Sequence, residues 1–241
     1  MKTFFEARVI IPAYIVSAMW YMVCVTFIPE PWCAFFKVIP LGLLIAALAA
    51  RLKETTTDRP TLILPIIALS FSMIGDVFGD TKLGAFRDMS FLLQMAFFMM
   101  AHFVYIGSFL RFMSRPRPKG LSKRDTWGRL ACVLFMVMLL MFLCDTVLQV
   151  IESPVFRIGV SSYMVIISVM VFAAIMQSRR HIWQMILGAL LFALSDATIA
   201  WTAFLPSNDL PLAIEDTLVF LTYFGAQILL NVGLLSKPKA E

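Results

Sequence analysis

Six ionisable side chains stand inside runs that are otherwise apolar: Lys37, Asp76, Asp80, His102, Asp145 and Asp196. Asp196 is the extreme case, in the middle of LLFALSDATIAW. An acid or base at the centre of a bilayer helix costs about 2.5 to 3.5 kcal/mol on insertion scales, so one that is present is expected to have a function. Asp76 lies in SFSMIGDVFGD, and the two acids share a local pattern of apolar run, small residue and Asp, as IGD and LSD. A pair of carboxyls can divide acid and base work: one delivers a proton, and the other stabilises positive charge and activates water. Lys37 is suited to hold such a base ionised or to neutralise a phosphate. Tyr163, Tyr223 and Gln227 are polar groups at similar depth, each read either as a helix-to-helix hydrogen bond or as a site residue. His102 either faces a cavity or is a satisfied packing histidine. Asp80 and Asp145 read as interfacial or capping acids, with Asp80 also a candidate for contact with substrate.

No competing catalytic constellation is present. There is no GxSxG, HExxH or Walker loop, and His102 and His181 lie on different segments without metal-ligand spacing. No cofactor and no metal are therefore expected, a site built from Asp76, Asp80 and Asp196 being the minor alternative.

The elements that must position these groups are membrane helices. Of 241 residues, 61% are hydrophobic and 15% charged, and the mean hydropathy is +0.87, far from the values of a soluble domain. Eight apolar runs are long enough to cross roughly 30 Å of hydrocarbon as helices. They cover Val9 to Ile28, Trp32 to Ala50, Thr61 to Phe78, Met89 to Phe112, Leu130 to Val150, Val155 to Gln177, Ile182 to Phe204 and Ala213 to Leu235. The longest polar stretch, Arg111 to Arg129, leaves no room for a soluble domain, so residues 1–241 read as one all-α, eight-helix membrane domain. With the N-terminus inside, 16 of the 20 Lys and Arg fall in cytoplasmic segments and 3 in the opposite loops, which predicts both termini cytoplasmic.

The net charge of +5 is then a topology signal, with the basic loop facing anionic headgroups and no nucleic acid as partner. Arg157 is expected to anchor at a headgroup. Cys24, Cys33, Cys132 and Cys144 form no CxxC and read as buried small hydrophobes, a Cys24 to Cys33 bridge being the alternative. Nothing in the sequence sets an oligomeric state.

Counted along these helices, Asp196 lies about eight residues, roughly 12 Å, from the outer end of the seventh, and Lys37 about five residues, roughly 8 Å, from the outer start of the second. Asp76 comes within a turn or two of the outer end of the third. Asp196 is therefore expected to be the deeper acid and the proton donor, and Asp76 the base nearer water. The third and seventh helices run the same way and stand four apart, which suggests two parallel four-helix halves that put both acids at matching depths around a cavity. Gly75 is expected to allow close helix approach, and Pro40, Pro65 and Gly188 are candidate kinks.

Several stretches carry a resemblance: FFKVIP, SMIGDVFGD, GAF with AHFVYIGSF, SSYMVIISVM, LGALLFALSDATIAWTAF and TYFGAQILL. With them the chain resembles the YhhN family of eight-helix membrane proteins, which includes the animal lysoplasmalogenases. The specific part is G-A-L-L-F-x-x-S-D followed by T-Y-x-x-A-Q. The resemblance implies hydrolysis of the vinyl ether bond of a lysophospholipid, giving a fatty aldehyde and glycerophospho-ethanolamine or glycerophospho-choline. It also implies that Asp76 and Asp196 are essential and that Lys37, Tyr163, Tyr223 and Gln227 fall on motif positions. The second acid of GDVFGD, Asp80, departs from the animal members, and these departures favour a bacterial inner membrane, with the endoplasmic reticulum the alternative. The reading from a different functional class is a proton-coupled transporter using the same buried acids.

Overall fold

The computed structural model describes residues 7–28, 32–54, 59–81, 89–111, 113, 123–177, 182–205 and 212–235. Among the described residues eight helices follow one another: α1 (Ala7–Phe27), α2 (Trp32–Glu54), α3 (Pro60–Thr81), α4 (Ser90–Leu110), α5 (Lys123–Val150), α6 (Pro154–Met176), α7 (Ile182–Phe204) and α8 (Leu212–Leu235). Among the described residues seven of them, α1 to α7, are long and apolar enough to cross a bilayer. The protein is a multi-pass membrane protein. Lys82, Arg87, His181, most of the basic segment between α4 and α5, and the KPKAE tail lie outside the described residues.

The helices group into two compact units. The first holds α1, α2, α3, α4 as far as Ser108, and the end of α8 from Asn231; the second holds the remainder, from Phe109 to Leu230. The division falls at the end of α4, where two four-helix halves would separate, except that the last turn of α8 belongs to the first unit.

In the first unit α2 packs against both α1 and α3. Its core is apolar at helical spacing, with Ile10, Tyr14 and Ala18 on α1, Leu41, Leu44 and Leu48 on α2, and Ala68 and Leu69 on α3 all buried. α3 meets α4 through Gly75 and Gly79. A Cβ on Gly75 would stand 3.3 Å from the carbonyl oxygen of Gln94 and 3.2 Å from the ring of Phe98. Small residues four apart let membrane helices approach in this way, because lipid supplies no hydrophobic drive between them.

In the second unit α5, α6 and α7 pack against one another. Here the structure extends the expected helix. α5 begins at Lys123, not near Leu130, and its 28 residues span roughly 42 Å, more than the hydrocarbon thickness. Hydropathy misses this polar first part because its support is tertiary. Asp125 accepts a hydrogen bond from Trp183 Nε1 at 3.3 Å, and Arg129 Nη1 donates to the carbonyl of Ile175 at 2.5 Å. Gly128 leaves room for the Trp183 ring, which a Cβ there would meet at 2.5 Å and displace.

At the other end Pro154 opens α6 with φ already set for a helix. Arg157, expected at a headgroup, turns back to donate from Nε (3.0 Å) and Nη2 (2.5 Å) to the carbonyl of Ile151. It closes the α5–α6 connection by satisfying a carbonyl that the helix end leaves open.

Pro40 and Pro65 lie inside helices that run on past them. Gly188 is a point of close packing within a continuous α7: its Cβ would stand 3.0 Å from Leu230 N and 3.2 Å from Ala226 O on α8. Cys24 is a free, buried thiol, and the side chain of Cys33 lies outside the described ones.

Candidate active site

In the first unit the site is built on α3. Asp76 occupies the buried face that also carries Ala68, Leu69 and Ser72, and is 1% exposed. Lys37 reaches it from α2, its Nζ 3.4 Å from Oδ1. The ammonium also lies 6.0 Å from the centre of the Tyr21 ring on α1, at the limit of cation–π range. Tyr14 on α1 is within electrostatic range of both Asp76 and Tyr105. Two opposite charges removed together from water stabilise each other only while both are present, which makes this pair sensitive to loss of either member.

The helix bounds keep Asp76 nearer the end of its helix than Asp196 is to the end of α7, as depth counting expects. α3 runs on to Thr81, so Asp76 is five residues from its end, and protein covers it almost completely. Asp80 is therefore in the last turn of the helix rather than beyond it; its side chain lies outside the described ones. His102 is fully buried on α4, on the face that carries Ala101 and Tyr105. Tyr105 in turn accepts a hydrogen bond from Asn231 Nδ2 at 3.2 Å.

In the second unit Asp196 stands on α7, half-buried. Tyr163, on the neighbouring α6, donates to Asp196 Oδ2 at 2.6 Å, a short bond of the kind that a carboxylate acceptor gives. Tyr223 on α8 is buried with its ring edge-on to Phe192 of α7, centroids 5.6 Å apart. Gln227, one turn further along α8, is fully buried on the same face. Asp145 is exposed near the end of α5. Among the described residues no cluster of three His, Cys, Asp or Glu is arranged to hold a metal ion.

Two pairings thus emerge: Lys37 with Asp76, and Tyr163 with Asp196. Each joins a carboxyl to a polar partner from the adjacent helix. Sequence reasoning did not single out Tyr14, Ser72, Tyr105, Ser195 or Asn231, all of which are buried. The available signal was position: Ser72 is one helical turn before Asp76, and Tyr105 is three residues from His102.

With this geometry in view, comparisons with known proteins add the following. A family model described as the YhhN family matches residues 32–234. A protein from Sus scrofa called lysoplasmalogenase TMEM86B is 43% identical over 54 residues, which cover 22% of this chain and 22% of that protein. The matched segment is thus under a quarter of the relative's length. No solved structure matches.

Proposed function

The chain belongs to the YhhN family, and from that premise we propose that it is a membrane hydrolase of the vinyl ether bond of lysoplasmalogens or a closely related lysolipid. The products are a fatty aldehyde and a glycerophospho-ethanolamine or glycerophospho-choline. The observation that carries this reading is that each of two acids in apolar helices has its own polar partner, Lys37 at 3.4 Å and Tyr163 at 2.6 Å.

The chemistry asks for such groups. Proton delivery to the outer alkene carbon makes an oxocarbenium ion, water adds to it, and the hemiacetal collapses. One group must give a proton and another must carry negative charge near the cation and take a proton from water. Asp196 is assigned as the donor, oriented by the Tyr163 hydroxyl. Asp76, whose charge is countered by Lys37, is assigned as the base. These roles rest on partners rather than on depth.

Lys37, Asp80, His102, Tyr163, Tyr223 and Gln227 are assigned to substrate binding and orientation. The eight helices act as one membrane domain with both termini cytoplasmic, in a bacterial inner membrane, and the lysolipid headgroup sits at the outer interface. The continuity of α2, α3 and α7 through Pro40, Pro65 and Gly188 favours the hydrolase over a proton-coupled transporter, whose sites are usually built on broken helices. The test is aldehyde release from a lysoplasmenyl lipid by the purified protein in detergent, where no gradient exists for a transporter to use. Aldehyde at a steady rate supports the reading; none above the detergent blank removes it.

A further inference from the structure

Ser72 is fully buried on α3, and its Oγ has no hydrogen-bond partner among the described residues. Ser195 Oγ on α7 is left in the same state, but several other helix hydroxyls solve the problem locally. Ser70 donates to the carbonyl of Ile66 at 2.8 Å, Ser168 to Met164 at 2.5 Å, Thr198 to Leu194 at 2.9 Å and Thr222 to Leu218 at 2.6 Å. The carbonyl of Ala68 stands in that same relation to Ser72, one turn back, and Ser72 does not use it. A buried hydroxyl left unbonded costs stability, so its retention asks for a reason.

Position supplies one. Ser72 and Asp76 are four residues apart on one helix and share its buried face. Helical side chains lean toward the N-terminus, so the carboxyl of Asp76 leans back over the turn that carries Ser72. A buried hydroxyl one turn from a carboxylate, with Tyr14 within electrostatic range of that carboxylate, makes a polar group on an otherwise apolar helix face.

We propose that Ser72 holds the hydrolytic water that Asp76 activates; this rests on the hydrolase reading. The water oxygen bonds to the oxocarbenium carbon as one of its protons passes to Asp76, while the Ser72 hydroxyl fixes the water by a hydrogen bond. On collapse of the hemiacetal the carbon–oxygen bond to glycerol breaks. The departing oxygen takes the proton held by Asp76, and the hemiacetal hydroxyl proton returns to the Asp196 carboxylate. One water is consumed, and both acids end as they began.

The test compares purified wild type with Ser72→Ala, Ser72→Cys and Ser72→Thr, reading kcat and KM for aldehyde release from a lysoplasmenyl-ethanolamine, with Tm in the same detergent. Ser72→Ala and Ser72→Cys are expected to lose kcat about tenfold or more, the worth of one hydrogen bond read as a rate, with KM within about twofold and Tm unchanged or raised. Ser72→Thr keeps a hydroxyl and is expected to recover most of kcat. A merely structural serine would move Tm and leave kcat. Wild-type kcat in both Ser72→Ala and Ser72→Cys overturns the proposal alone, as does a loss carried by KM, which would put the hydroxyl on the lipid. An inactive wild type overturns the hydrolase reading and this proposal with it.

Discussion

Lys37, 14% exposed, is paired with the buried Asp76, 1% exposed, so a change at one leaves the other charge without its partner. Lys37→Met or Asp76→Asn alone is expected to lower stability by about 3–5 kcal/mol, whereas the double substitution recovers most of that loss. Thermal unfolding of the three variants in detergent checks this, and equal losses in single and double variants would refute it. Tyr163→Phe removes one donor from Asp196 and is expected to lower kcat about tenfold, the worth of a single hydrogen bond, with a change in Tm of only a few degrees. At this scale much was legible. Intramembrane charge is rare enough that Lys37, Asp76 and Asp196 declare themselves, because insertion penalises them. What sequence could not give was who meets whom. Lys37 is 39 residues from Asp76 and Tyr163 is 33 from Asp196, and only helix packing decides those partners. Depth counting also says nothing of how completely protein covers Asp76, since burial in a membrane protein is set by neighbouring helices as well as by distance from the surface.

Among the helices, glycine contacts separate three expectations. At Gly188 an added methyl meets the backbone of α8, with Leu230 N 3.0 Å away, and backbone there cannot step aside. At Gly79 it meets the end of the Gln94 side chain, 2.5 Å from Nε2, and that side chain can turn away. Gly42 and Gly107 have nothing within 4 Å. Gly188→Ala is therefore expected to lower Tm clearly and Gly79→Ala slightly. Gly42→Ala and Gly107→Ala should leave Tm unchanged or raise it, by up to about 1 kcal/mol of helix propensity each. A Tm for Gly188→Ala at or above that of Gly42→Ala would contradict the packing account. The apolar runs predicted the eight helices of the described residues, seven of which are long and apolar enough to cross a bilayer, because length and hydropathy are what a bilayer selects. They failed at the start of α5. There Lys123, Arg124, Asp125 and Arg129 look like loop, and the helix is extended by Asp125 and Arg129 bonding to α7 and α6.

For the molecule as a whole, the excess of Lys and Arg in alternate loops predicts that a fluorescent protein fused after Glu241 folds and fluoresces, as cytoplasmic fusions do, while a periplasm-dependent phosphatase at the same place stays inactive; the reverse pattern would invert the topology. Family membership was legible from motifs spread along much of the chain, and the substrate was not, because side-chain chemistry for protonating a vinyl ether does not itself specify a headgroup. The central proposal is that the chain hydrolyses a vinyl ether and that Asp76 and Asp196 are both needed for it. Aldehyde release from a lysoplasmenyl-ethanolamine by the purified protein in detergent measures it most directly, with Asp76→Asn and Asp196→Asn run alongside at a temperature where each is folded. The account predicts steady aldehyde production by the wild type and a loss of at least about a hundredfold in either variant, the scale of removing a general acid or base. Full activity in both variants, or no aldehyde from the wild type, would contradict it.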